Sequence, residues 1–287
     1  QEFLPIVNVN KQSDLYYKYD QGDFFRLPSS TLRAPKTKGR TTHFNVSSES
    51  YYATNYALVD EMDYETLVNQ DDPLKLREKG ARNLVNLLML DMENRIASQT
   101  RSVSNMGSGA TVSSKWSASE AGKSDPFNDI QTAKNFIRSN TGYDANTIIM
   151  GRTAYNSLLK HADILERIKY VQRGVVTADI LASVFDVPNF YIGNSIINTG
   201  AENLANSFSD VWGSDTILAH FAPPETDGRN PSLMYGFRWT NPLFGAPMAV
   251  ETWDDPDHRN FTNLRVQYYQ DEKITAKDLG YVLKDCV

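Results

Sequence analysis

The stretch DDPLKLREKGARNLVNLLMLDMENRIASQT, residues 71–100, decides how the rest of the chain is read. Asp72 is a good N-cap, Pro73 stands where a first helical residue has no N–H partner to lose, and no proline follows until Pro126. Leu74, Ala81, Leu84, Val85, Leu88, Met92 and Ile96 recur at helical spacing, while Lys75, Lys79, Arg82, Asn86 and Glu93 gather on another face. The spacing predicts one amphipathic helix over the whole stretch. At 1.5 Å per residue it would be about 45 Å long, close to the diameter of roughly 50 Å expected of a compact chain of this size. Such a rod either packs on one large domain or spans a flat molecule, and the flanking sequence bears on the choice.

Before the rod, residues 1–35 carry aromatic and strand-like fragments, QEFLPIVNV and DLYYKYDQGDFFRLP, punctuated by Pro5, Gly22, Pro28 and Pro35. Their periodicity is too weak for a private core, which predicts an extended arm whose partners lie elsewhere. RTTHFNVSSESYYATNYALVDEMD, residues 40–63, is rich in Thr, Tyr and Val with a break at Ser47 and Ser48, and reads as a two-stranded hairpin. An isolated hairpin is marginal in water, so this one should lie on another surface.

After the rod comes a Gly- and Ser-rich loop over residues 104–125, and from Pro126 to about Thr240 helices and strands alternate. NDIQTAKNFIRSNTG reads as a helix closing at Gly142, NTIIMG as a short buried strand, and VTADILASVFDV as a further helix. This block can form an α/β domain of its own. The tail fragments APMAVETWDD, NFTNLRVQYYQDEKIT and DLGYVLKD alternate at period two, predicting three antiparallel strands beside the long helix with DDPDHRN as a turn. Two separated segments would then build one domain around an inserted block.

Composition narrows the function. With 40% hydrophobic and 22% charged residues the 287-residue chain reads as a globular protein. Its net charge of −6 argues against overall attraction to nucleic acid. One local exception is RLPSSTLRAPKTKGR, residues 26–40, with five basic residues and no acidic one. Cys286 is the only cysteine, which excludes an intrachain disulfide and a thiolate metal cage. His43, His161, His220 and His258 show no ligand spacing, and neither a signal peptide nor an apolar run of membrane-spanning length occurs. The chain opens on Gln1 without an initiator Met, which fits removal or omission of a preceding segment.

Catalytic patterns are thin. MGSGAT at Met106 lacks the Lys and the strand-to-helix setting of a phosphate loop, and GNSII around Ser195 lacks the second Gly of a nucleophile elbow, so Ser195 reads as a strand end. Residues 254–259, DDPDHR, read as an acidic turn rather than a cation loop.

The order of parts resembles the major capsid proteins of tailed bacteriophages, whose fold encapsulin shells also use. The residues that carry the likeness are YALVDEMDYETLVNQDDPLKL leading into the rod, SDPFNDI, the run from NTIIMGRTAYNSLLKHADILERIKY through VVTADILASVFDV to NFYIGNSI, and VWGSDTILAHFAPP followed by PSLMYGFRWTNP. The resemblance covers nearly the whole chain. It implies an α+β Hong-Kong-97-like capsid fold with an N-terminal arm over 1–35 and an extended β-hairpin loop over 36–70. A peripheral domain over 71–127 would hold the long helix as its spine, an inserted axial α/β domain would fill 128–240, and peripheral strands would return over 241–287.

That reading implies a structural protein without catalytic residues, cofactor or metal, which self-assembles as hexamers and pentamers into the icosahedral head of a double-stranded DNA phage. Its partners would be further copies of itself, portal and scaffold proteins, decoration or cement proteins, and the packaged DNA held non-specifically, with no membrane. It would reside in the virion capsid, assembled in the bacterial host cytoplasm. Arg33, Lys36, Lys38 and Arg40 are the expected lattice or DNA contacts, with Lys75, Lys79 and Arg82 as weaker candidates. Tyr16, Tyr17, Phe24, Phe25, Tyr51, Tyr52 and Tyr56 are the expected intersubunit aromatics. The Lys, Asn and Glu with which some members cross-link their shells are not matched residue by residue. An encapsulin-like compartment shell is the alternative reading, and an α/β-domain enzyme a distant one.

Overall fold

A computed structural model of the chain describes residues 3–19, 21–69, 75–117, 124–168, 176–201, 203–223, 230–240, 246–254 and 261–287. The elements run β1 (Ile6–Val9), β2 (Ser13–Tyr19), α1 (Gln21–Phe25), β3 (Val46–Tyr52), β4 (Thr54–Asp63), α2 (Tyr64–Val68) and α3 (Leu76–Thr100). Next come β5 (Ser108–Thr111), α4 (Pro126–Thr141), β6 (Thr147–Gly151), α5 (Arg152–Leu158), α6 (Ala162–Ile168), α7 (Ala178–Phe185), β7 (Asn189–Gly193), β8 (Ile196–Asn198) and β9 (Phe208–Asp210). The last described strands are β10 (Thr216–Ala219), β11 (Met234–Trp239), β12 (Met248–Asp254), β13 (Phe261–Ile274) and β14 (Gly280–Lys284).

Two five-stranded sheets organise these elements. In the first, β13 is the axis: β12 and then β11 pair along one edge, β4 pairs along the other, and β1 joins β11 in parallel. In the second the order is β5-β14-β10-β6-β7. Every residue of β6 and of β10 is buried, as continuous apolar runs require when both faces of a strand are covered. Beside that sheet, α4 starts on Asp125, whose Oδ1 accepts the Asn128 N–H at 3.0 Å, and stops at Gly142, whose φ of 72° suits a residue without Cβ.

The long helix is present, 25 residues over Leu76–Thr100, which is about 38 Å at 1.5 Å per residue. Asp72 and Pro73, expected as its start, lie outside the described residues. Leu84, Leu88, Met92, Ile96 and Thr100 are buried, each four residues after the last. A step of four overshoots the 3.6-residue turn by about 40°, so this row winds about 160° around the helix from end to end. The single apolar face expected from sequence is therefore a spiral, for a packing reason. Leu84 and Leu88 meet Leu264, Val266 and Tyr268 of the first sheet, whereas Met92, Ile96 and Ala97 enter the large core under the second. The rod joins two cores and changes face between them. Gly80 leaves room for the Met62 side chain of β4, whose Cε a Cβ there would meet.

Three expectations are corrected. The hairpin of residues 40–63 is not formed: β3 pairs with β2, from Ser13↔Tyr52 to Tyr19↔Val46, while β4 turns away after Ala53 to pair with ten residues of β13. Ala53 is fully buried where the chain changes partner. The beginning of the arm is held by its own chain, because β1 extends the first sheet at β11 and Leu4 is 1% exposed in the large core. In the tail, β13 packs against the helix with β12 paired along its edge. β14 crosses into the second sheet between β5 and β10, where its consecutive apolar residues Tyr281, Val282 and Leu283 are all buried. Conversely β11, read from sequence within the inserted block, belongs to the first sheet. The expected turn over DDPDHRN falls largely outside the described residues.

Candidate assembly surfaces

The base of the β2–β3 ribbon is fastened to the first sheet. Tyr51 stacks on Phe237 at 4.7 Å between ring centroids, and Tyr16 lies 5.3 Å from the same ring. Tyr16 Oη donates to Glu49 Oε2 at 2.6 Å, and Lys18 Nζ meets the same carboxylate at 2.7 Å. Burial first, and then the Glu49 hydrogen bond, push the Tyr16 phenol above its ordinary range, while the bonds from Lys18 and Tyr16 hold Glu49 below its own. The Tyr52 N–H donates to Asp271 Oδ2 at 3.0 Å, and Lys273 Nζ donates to the Ser50 carbonyl.

Beyond that base the chain is bare. Every residue from 29 to 50 is exposed, and Leu27 and Leu32 show 88% and 92% of their surface to solvent. The segment nonetheless has form. The Thr37 N–H donates to the Ala34 carbonyl at 3.2 Å, Lys36 takes a left-handed φ of 66° within this turn, and Arg40 Nη1 donates to Ser29 Oγ across the loop. Arg33, Lys36, Lys38 and Arg40 thus sit together on one exposed loop, and none forms an ion pair with a described residue.

The seven expected intersubunit aromatics divide. Tyr16 and Tyr51 are spent on Phe237 of their own chain, and Tyr56 stacks on Tyr268 at 5.5 Å with the Arg95 guanidinium 3.7 Å from its ring centroid. All three make ring contacts within their own chain, Tyr51 buried and Tyr16 and Tyr56 half-buried. Tyr17, Phe25 and Tyr52 are 70%, 62% and 59% exposed. The Phe24 side chain lies outside what is described.

Sequence reading missed the polar ties that hold the spine in place. Arg95 donates to Glu272 Oε1 and Oε2 at 3.0 and 3.2 Å, to Tyr268 Oη at 2.9 Å, and to Asp91 one turn earlier. Burial opposes the Arg95 charge, but the bonds to Glu272 and Tyr268 prevail and raise its pKa; burial likewise pushes the Tyr268 phenol up to about 12. Arg101 Nε donates to Asp215 Oδ2 at 2.7 Å, and Lys284 Nζ approaches that oxygen at 3.5 Å, fixing the end of α3 to the second sheet. Glu93, placed on the polar face from sequence, instead accepts from Ser195 Oγ at 2.6 Å and Trp212 Nε1 at 2.7 Å beside a cleft lined by Phe3. Apart from the Arg95–Asp91 pair one turn apart, these partners stand 69 to 177 positions from each other and leave no local signal.

The remaining polar pairs tie separate elements together. Ser195 Oγ donates to Glu93, whose other oxygen accepts from Trp212 Nε1, so the three side chains join α3 to the segments on either side of β8 and β9. Ser124 Oγ lies 2.8 Å from His161 Nε2, and His161 Nδ1 is 3.9 Å from Asp163 Oδ2. Ser124 and His161 are both buried, so the pair ties the approach to α4 to the turn between α5 and α6. Among the described residues no group of three or more His, Cys, Asp or Glu side chains could hold a metal ion, and no helix is long and apolar enough to cross a membrane.

Comparison with known proteins agrees with this architecture. A family described as phage major capsid protein E matches residues 106–236. A major capsid protein of Burkholderia phage BcepMu is 26% identical over 83% of this chain and 77% of its own length. Another, from Pseudomonas phage JBD67, is 25% identical over 100% of this chain and 91% of its own. Among solved structures, a phage-related protein of Bordetella bronchiseptica superposes with a TM-score of 0.75 at 22% identity, covering 99% of this chain and 90% of that one. The capsid of Cyanophage P-SCSP1u follows the same path with a TM-score of 0.62 at 11% identity, over 98% and 86% of the two chains. An encapsulin of Synechococcus elongatus is also similar, with a TM-score of 0.54 at 11% identity over 98% and 84%. The structural likenesses carry the fold, which is the Hong-Kong-97-like fold of phage capsids, and the family match together with the two capsid relatives supports a major capsid protein of a tailed phage.

Proposed function

We propose that copies of this chain tile an icosahedral head, meeting as hexamers and pentamers, and enclose double-stranded DNA. The observation that supports this reading is the loop beyond the β2–β3 ribbon, whose leucines stand 88% and 92% exposed on a formed turn. A lone subunit gains nothing from such a loop, whereas obligate shell contacts bury thousands of Å² and would cover it. The loop between β2 and β3 is the part that reaches across a neighbour, the second sheet with α4 to α7 the part that surrounds the axes, and the first sheet with α3 the body between. The protein acts structurally, without a catalytic step, as part of the virion, and is assembled in the host cytoplasm with portal, scaffold and decoration proteins.

DNA is held by confinement. An acidic subunit has no net attraction for it, so any direct contact falls to exposed Lys and Arg, including Arg33, Lys36, Lys38 and Arg40, and weakens steeply with salt. Nuclease treatment of particles from infected cells tests this reading. Protected double-stranded DNA is expected within closed shells; shells filled with cargo protein and free of DNA would favour the encapsulin reading.

A further inference from the structure

The exposed loop has a counterpart elsewhere on the same surface. Residues 26–40 hold five basic side chains and no acidic one. Residues 59–69, VDEMDYETLVN, the end of β4 with α2 and the residue after it, hold four acidic side chains and no basic one. Each segment adds exposed apolar groups to its charge. Leu27 and Leu32 accompany the cations, while Val59, Tyr64 and Val68 accompany the carboxylates at 47%, 58% and 61% exposure.

Neither set finds its opposite among the described residues. No loop cation forms an ion pair with a described residue, and neither do the exposed Glu61 and Glu65; Asp63 spends one oxygen capping α2 through the Thr66 N–H. Asp60 faces Gly80 on the helix side and is left out of the surface. The acidic strip is rigid, since β4 is paired with β13 through Asp63 and Leu67 anchors α2 in a buried position.

We propose that the strip Val59–Val68 of one copy is the seat for residues 26–40 of a second copy, with Arg33, Lys36, Lys38 and Arg40 set against Glu61, Asp63 and Glu65. Leu32 lies on the apolar ground offered by Tyr64 and Val68. This rests on the shell reading above and adds to it which surface receives the loop and by what chemistry. Opposite charges without internal partners steer the approach and fix the register, while the flanking leucines contribute contact area. Two copies each offering both surfaces link head to tail, which is the contact type that closes into rings.

Charge reversal in both directions tests it, with assembly of the full chain followed by sedimentation and electron microscopy. Glu61→Lys with Glu65→Lys should lower the particle yield at least tenfold, and Lys36→Glu with Lys38→Glu and Arg40→Glu should do the same. All five changes together should restore at least half of it. Both sets are exposed, so unchanged circular dichroism and Tm are expected. As an independent arm, Leu32→Cys and Val68→Cys on separate copies should form a mixed disulfide only when the two are assembled together; Cys286 is fully buried and takes no part. Normal yield from the acidic reversal, no recovery in the combined variant, or no mixed disulfide would each overturn the seat. So would a loop reversal that lowers DNA retention but leaves assembly intact, since the loop would then serve DNA. A wild-type chain that forms no particle in the same buffer would instead overturn the shell reading itself.

Discussion

Arg95 concentrates the residue-scale physics of the spine. Glu272 shows 2% of its side chain to solvent, and its charge is answered by two hydrogen bonds from Arg95 and one from Gln270 Nε2. Arg95→Ala would strand that carboxylate, and breaking one side of a buried pair costs about 3–5 kcal/mol. Urea unfolding of the unassembled subunit should show a loss of this size, and a loss under about 1 kcal/mol would mean that water or another cation reaches Glu272. Protonation gives a second handle. Burial raises the Tyr268 phenol from 10.0 and the Cys286 thiol from 9.0, each to about 12. Above pH 9 the unfolded chain begins to release protons that the folded chain keeps, so stability is complete below that pH and falls as pH rises toward 12. Cys286→Ala should delay the onset of this fall to near pH 10, where tyrosine takes over, as followed by denaturant midpoints across the range.

At the scale of elements, the long helix was legible because its repeat lies within 25 consecutive residues and depends on no partner. The helix α4 and the strand β6 were legible for the same reason, one by the Asp125, Pro126 and Gly142 signals and the other by an unbroken apolar run. What could not be read was pairing. A strand of four or five residues states its buried faces but not its neighbour, so β1, β11 and β14 were assigned to the wrong company, and Ala53 gave no warning that β3 and β4 would part. The spiral burial of α3 was hidden for a related reason: it reflects two cores that only the folded chain brings to the helix. Leu88 lies on the first-sheet half of that spiral, 3% exposed against Leu264 and Val266. Leu88→Asp should cost several kcal/mol, because an unpaired carboxylate would enter an apolar contact. Lys79→Asp, exposed in the first turn, should change stability by less than about 0.5 kcal/mol. Thermal unfolding of both variants separates the faces, and equal losses would show the helix to be seated otherwise.

For the whole molecule, the two sheets exchange strands so that neither forms from a continuous stretch, and the spine is fixed to the first by Arg95 and to the second by Arg101 and Glu93. The body is thereby stiffened, and the loop past the ribbon is the large element left without cover among the described residues. The long rod legible in the sequence is present, while Tyr16 and Tyr51, expected to reach outward, moor the ribbon on Phe237. Assembly is then the completion of the fold: a surface unfavourable in one copy is satisfied by the next. Electron cryomicroscopy of the purified, assembled chain tests this most directly. The account predicts closed icosahedral shells in which density for residues 26–45 of each copy lies on a neighbouring copy. Particles in which that loop is free of any neighbour, or a protein that stays monomeric at every concentration, would contradict it.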